Sequence, residues 1–136
     1  MLYRFLDLFF IVFHTSLTLF NALGWVWKKT RLLNLITLFF TGALWLFLGL
    51  IVGTPGYCPL TDWHFDVLEK LGKTGLPNSY IKYLADRLTG FDFNPAFVDA
   101  MTLIVFSAAL LSSISFNLRD YFIRKRKGAS SVNLNL

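Results

Sequence analysis

Asp7, His14 and Asn21 recur seven residues apart within an apolar run, a spacing that places all three on one stripe of a helix. His14 falls near the middle of the run, where an ionisable side chain is rare in a membrane helix and often functional. An imidazole there suits a proton relay, a haem or metal ligand, or a quinone contact. The structural alternative is a neutral ring bonded to Thr18, to a backbone carbonyl or to a neighbouring helix. With a rise of about 1.5 Å per residue, Asp7 and His14 stand roughly 10 Å apart along the axis and cannot bond directly. Asp7 and Asp99 both fall near the ends of apolar runs, where an interfacial ion pair, Asp7 with Arg4 for instance, accounts for them.

A second group surrounds the only cysteine. Cys58, Thr61, Asp62 and His64, followed by Asp66 and Glu69, carry metal-ligand atom types. Structural zinc sites use four ligands in short-spaced pairs, whereas Cys58-x5-His64 stands alone, so no metal site is expected there. No second histidine lies in the apolar runs to complete a paired haem site with His14. No cofactor is therefore expected, and a haem or metal at His14 is the minor alternative. A nucleophilic Cys58 with His64 as base requires a proximity that spacing does not supply. A single cysteine also excludes a disulfide within the chain. No Walker loop, G-x-G-x-x-G or H-E-x-x-H is present, and the chain reads as a non-enzyme more readily than as an enzyme.

The elements that position these residues follow from hydropathy. Three apolar runs, about 5–26, 32–52 and 97–118, are each long enough to cross a hydrocarbon core of about 30 Å. The chain has 136 residues, 55% hydrophobic and 18% aromatic, which gives one membrane domain over 1–127 and no separate soluble module. Of the thirteen basic residues, eight fall in two clusters: Lys28, Lys29 and Arg31, then Arg119, Arg124, Lys125, Arg126 and Lys127. The positive-inside rule puts both clusters in the cytoplasm, with the N-terminus and the 53–96 connection outside. The first run lacks a small-residue cleavage site and stays attached as a helix. The net charge of +5 points to anionic lipid head groups and not to nucleic acid. The tail 128–136 is expected to be disordered in the cytoplasm.

Within the connection, Pro55, Gly56 and Pro59 break the chain after the second run. A short helix is expected over 62–71, capped by Thr61 or Asp62 and stopped by Gly72, with Trp63, Val67, Leu68 and Leu71 on one face. A second is expected to start after Asn78 or Ser79 and run to Leu88, with Ile81, Leu84 and Leu88 aligned and Gly90 at its end. Asn94-Pro95 provides a cap and first-turn proline for the third run. Antiparallel packing of the first two runs brings Asn34, with Thr37 and Thr41 on its stripe, toward Asn21. Ser107, Ala108, Ala109, Ser112, Ser113 and Ser115 form a small-sided seam for packing within the chain or between copies. The fold class is an all-α integral membrane protein of three transmembrane helices, with an extracytoplasmic cap of two short amphipathic helices.

The opening M-L-Y-R-F-L-D, the mid-run His14, the basic turn and C-P-L-T at Cys58, Pro59, Leu60 and Thr61 resemble a family of small bacterial membrane proteins, domain of unknown function 2784. Two departures stand out. Asn34 occupies a place where many relatives have a histidine, and His64 one where many have an acidic residue. The resemblance implies a bacterial inner-membrane protein, with no established activity to carry over. The favoured function is a noncatalytic accessory or scaffold subunit, binding another membrane protein or its own copies. The alternative is a small redox or proton-handling protein using His14.

Overall fold

The computed structural model describes residues 1–54 and 56–133. Its described residues are helical and without strands: α1 is Leu2–Leu23, α2 Arg31–Val52, α3 Pro59–Lys70, α4 Tyr80–Thr89 and α5 Pro95–Asn133. Pro55, expected to help break the chain, lies outside the described residues, as do 134–136.

Helices α1, α2 and α5 are long and apolar enough to cross a membrane. They form an antiparallel set. The turn after α1 is tied by the Thr30 hydroxyl to the Gly24 carbonyl at 2.6 Å and by the Trp25 indole to the Ala22 carbonyl at 2.8 Å. Along the next pair, Trp45 packs on Phe106 at 5.1 Å between ring centroids, and the Asn117 amide donates to the Arg31 carbonyl at 3.0 Å. Rising number on α2 thus meets falling number on α5. Phe39, Phe47, Leu50, Ile51, Leu103, Ile104 and Leu111 face outward, whereas His14, Asn21, Asn34 and Ser113 are buried. Apolar outside and polar inside is the distribution that lipid favours, because lipid gives no hydrogen bonds to a polar group.

Two local expectations change. Cys58, not Thr61 or Asp62, is the N-cap of α3, because Pro59 fills the first helical position, where its fixed φ suits a helix and its missing N–H costs nothing. The stretch from Gly128, expected to be disordered, is helical to Asn133: no proline interrupts it, Arg124–Lys127 are good helix formers, and one glycine costs only about 1 kcal/mol. At 39 residues α5 is about 58 Å long, nearly twice the hydrocarbon thickness. On the apolar faces of the two short helices, Val67, Leu68 and Leu84 are buried while Trp63 and Leu88 are exposed.

Helices α3 and α4 run beside the first half of α1. Lys70 lies over the Tyr3 ring at 5.4 Å and His64 bonds Asp7, so α3 is antiparallel to α1. Tyr80 packs on His14 and Arg87 bonds Asp7, which makes α4 antiparallel to α1 as well. Their starts therefore point toward the middle of α1. Leu68, Tyr80, Tyr83 and Leu84 form the core between them, closed by Ile11, Phe65 and Leu76.

Candidate functional site

On α4, Tyr80, Tyr83 and Arg87 share one face by their three- and four-residue spacing. That face meets Asp7 and His14 of α1 and His64 of α3. The Tyr80 hydroxyl lies 2.5 Å from His64 Nδ1, and His64 Nε2 lies 2.9 Å from Asp7 Oδ1. A carboxylate only accepts, so Nε2 carries the imidazole proton and Nδ1 accepts from Tyr80. Arg87 clamps the same carboxylate at both oxygens, Nη1 to Oδ1 at 3.0 Å and Nη2 to Oδ2 at 2.7 Å, and also donates to the Tyr83 hydroxyl. Two-pronged guanidinium–carboxylate pairing fixes orientation as well as charge. The result is one directed chain, Tyr80 to His64 to Asp7, held by Arg87.

The environment keeps the middle of this chain neutral. Burial pushes the His64 imidazole below its ordinary value of 6.5, against the pull of Asp7. Burial also pushes the Tyr80 and Tyr83 phenols upward. Burial works against the Arg87 charge, but Asp7 and Tyr83 outweigh it and hold the guanidinium protonated. Phe10 stacks on the His64 ring at 5.2 Å and 20°, closing its other side.

His14 lies against the Tyr80 ring, 4.3 Å between centroids. Its Nδ1 is 3.0 Å from the Phe10 carbonyl, which only accepts, so Nδ1 is protonated and Nε2 is left with a bare lone pair. That Nε2 is buried and has no partner. The backbone carbonyl is one of the structural partners expected for this histidine; the aromatic neighbour from α4 was not.

A second polar group joins α1, α2 and α5. The Asn34 amide donates to the Phe20 carbonyl at 2.7 Å and the Asn21 carbonyl at 3.3 Å, while the Asn21 amide donates to the Thr41 hydroxyl at 3.0 Å. Gly24 lies so near that a Cβ there would stand 2.9 Å from Asn34 Nδ2. Farther along, Arg31 Nη1 meets Asp120 Oδ2 at 2.9 Å, its Nε donates to the Trp25 carbonyl at 3.0 Å, and its guanidinium covers the Phe116 ring at 4.6 Å.

The residues singled out from sequence therefore separate. Asp7, His14 and His64 converge; Asn21 belongs to the second group. Cys58 caps α3 as a free, half-buried thiol, and no bond joins it to His64 among the described residues. Thr61 is half-buried in the first turn of α3, Asp62 is exposed there and its carboxylate pushes the Tyr57 phenol up, and Asp99 is exposed near the start of α5. Among the described residues no three His, Cys, Asp or Glu side chains gather as a metal site. The ion-pair partner of Asp7 is Arg87, not Arg4. Sequence reasoning missed Tyr80, Tyr83, Arg87 and Asp120. The available signals were the Tyr80-x2-Tyr83-x3-Arg87 face and a lone acid set among the basic residues after the third run.

Fold and site together define an all-helical protein with three helices fit to cross a membrane, compatible with a multi-pass membrane protein, and with a buried Tyr–His–Asp–Arg chain beside the first. The chain belongs to the family described as Protein of Unknown function (DUF2784), whose model matches residues 4–118. No curated protein and no solved structure matches it.

Proposed function

We propose that this is a bacterial inner-membrane protein that handles protons, with its N-terminus outside and its C-terminus in the cytoplasm. The orientation follows from the positive-inside rule applied to Lys28, Lys29 and Arg124–Lys127. The observation that carries the function is the Tyr80–His64–Asp7 chain, whose donors and acceptors run in one direction across three separate helices. In the relay the Tyr80 O–H bond breaks as His64 Nδ1–H forms. His64 Nε2–H breaks as Asp7 O–H forms, and an incoming proton replaces the one lost from Tyr80. Arg87 holds the carboxylate in place, and the flip of the imidazole resets the tautomer. Asp7, at the outer end of α1, delivers to the extracytoplasmic side, and α3 and α4 form the outer part of the assembly. His14, packed on Tyr80, stands on the inner side of the chain.

The test is proton flux into liposomes that hold the full chain and a trapped pH dye, driven by a potassium diffusion potential. Wild type should exceed protein-free vesicles, and Tyr80→Phe and His64→Gln should each lower the rate about 10²-fold, the lower end of what a positioned acid–base group contributes. Wild-type vesicles no leakier than empty ones, or a Tyr80→Phe variant at the full rate, would overturn the proposal.

A second reading, an accessory subunit bound to another membrane protein or to its own copies, draws support from the small-residue seam. Ala109 and Ser113 are buried within the chain, but Ser107, Ala108 and Ser115 remain exposed on α5. Small side chains permit close helix approach. Isolation from native membranes as a monomer without companions counts against this reading.

A further inference from the structure

Four side chains that are nine-tenths or more buried each keep one polar atom without a partner: His14 Nε2, Asn21 Oδ1, Asn34 Oδ1 and Ser113 Oγ. Their residues are 7%, 8%, 0% and 0% exposed. The half-buried Thr15 adds a fifth such atom, its hydroxyl. These atoms are not scattered. His14 sits one α1 stripe interval above Asn21, with Thr15 next to it in the chain; Asn34 bonds the Asn21 and Phe20 carbonyls; and Ser113 shares Asn117 with Arg31, since the Asn117 amide donates to both backbone carbonyls at 2.8 and 3.0 Å. The row thus leads from the Tyr80–His64–Asp7 chain to the Arg31–Asp120 pair.

Assignment of the amides does not remove the deficit. Asn34 donates to two carbonyls, which only accept, so its Nδ2 is fixed and Oδ1 is the atom left over. Exchanging O and N of Asn21 would let Oδ1 accept from the Thr41 hydroxyl but would strand Nδ2 instead. Buried polar groups are paired with protein or with ordered water, and lipid provides neither.

We propose that the α1–α2–α5 interface holds a file of buried water molecules, bonded to His14 Nε2, Asn21, Asn34 and Ser113, that connects the Tyr80–His64–Asp7 chain with the Arg31–Asp120 end of the bundle. The file deepens the proton-handling function and rests on it for its purpose: it supplies the inner half of a path whose outer half is the side-chain chain. Each of these atoms is a donor or acceptor to water and holds a water in place, and along the file a proton passes as one water's O–H bond breaks while the O–H bond of the next forms. About 10 Å of axis separates His14 from Asn21, a distance for several waters and not one.

The experiment is water-to-protein magnetisation transfer in solid-state NMR, on the full chain in lipid bilayers with ¹⁵N-labelled histidine, asparagine and leucine. Transfer to the His14 imidazole and the Asn21 and Asn34 side-chain amides is expected about tenfold faster than to the backbone of the lipid-facing Leu46, as bound water requires. Equal slowness at His14, Asn21, Asn34 and Leu46 means a dry interface and overturns the inference, whether or not protons cross. Fast transfer in a protein without proton flux keeps the water file and overturns only the function proposed for it. No variant is needed for the reading, so folding defects do not enter it.

Discussion

Asp7 and His64 lie 57 positions apart in sequence and 2.9 Å apart in space, and that bond joins the stack of Phe10 on His64 and the Lys70–Tyr3 contact in tying α3 to the first half of α1. Because Asp7 also takes both prongs of Arg87, one carboxylate joins three helices. The charge pair is partly open to solvent on the Arg87 side and more enclosed on the Asp7 side. Its loss is therefore felt chiefly as hydrogen bonds to a charged group, each worth about 1.5 to 3 kcal/mol, and less as a buried ion pair.

Asp7→Asn should lower stability by about 2 kcal/mol, since the amide keeps the shape but offers only one acceptor oxygen and leaves the Arg87 charge without its partner. Arg87→Gln should cost a similar amount. Thermal unfolding in mild detergent, run as a cycle with the double variant, checks whether the two share one interaction. Additive losses would mean that Asp7 and Arg87 act separately.

His64 sets a pH dependence whose sign follows from burial. Its folded value lies below 6.5, so as pH falls the unfolded chain takes the proton first. The contribution of His64 to stability is complete above about 6.5 and is lost as pH falls through the folded value. Unfolding temperatures measured from pH 8 to pH 5 should drop at the acid end in the wild type. They should drop less in His64→Gln, which starts lower but has no imidazole to protonate. An equal slope in both proteins would assign the acid loss to other groups.

The three apolar runs were legible because lipid imposes a length and a composition that a sequence displays directly; α2 departs from its expected bounds by one residue at the start. Asn21 and Asn34 were legible as neighbours because two helices joined by a short turn must run antiparallel. The site was less so. The 53–96 connection reads as two amphipathic helices by periodicity, but periodicity is silent on whether they rest over the bundle or pack beside α1. Tyr80 and Tyr83 look like ordinary aromatic residues until His64, for the first, and Arg87, for the second, supply the polar partners that burial of a phenol demands. Arg31, counted as one of a basic cluster, proves to be held by Asp120, a pairing fixed by the α2–α5 register and by no local pattern.

Gly24 and Gly90 should respond to alanine for different reasons. Gly24 has an ordinary helical φ of −63°, but a Cβ there would stand 2.6 Å from the Phe20 carbonyl oxygen and 2.9 Å from Asn34 Nδ2. Overpacking of this kind costs about 1 to 3 kcal/mol and should also disturb the Asn34 amide, visible as a shift of its side-chain NMR signal. Gly90 has open space around its Cβ position but a φ of +78°. Gly90→Ala should cost about 1 kcal/mol through backbone strain alone, with the Asn34 signal unmoved. Matching effects on Asn34 would contradict the separation.

Arg31→Lys tests whether Arg31 acts as a topological charge or as a planar clamp. Lysine keeps the positive charge beside Lys28 and Lys29, so the orientation of the chain, read by labelling single cysteines placed at the two ends, should not change. Yet an ammonium cannot donate through Nε to the Trp25 carbonyl, reach Asp120 and lie flat on Phe116 at the same time. The variant should therefore lose about 1 to 3 kcal/mol, with Asp120 left among Lys28 and Arg119 as its remaining positive neighbours. Asp120→Asn should lose less than Arg31→Ala, because the Trp25 carbonyl and the Phe116 ring still hold the guanidinium in the first and nothing replaces it in the second. Equal losses in those two variants would make the ion pair the whole of Arg31's role, and an Arg31→Lys protein of wild-type stability would reduce that role to its charge.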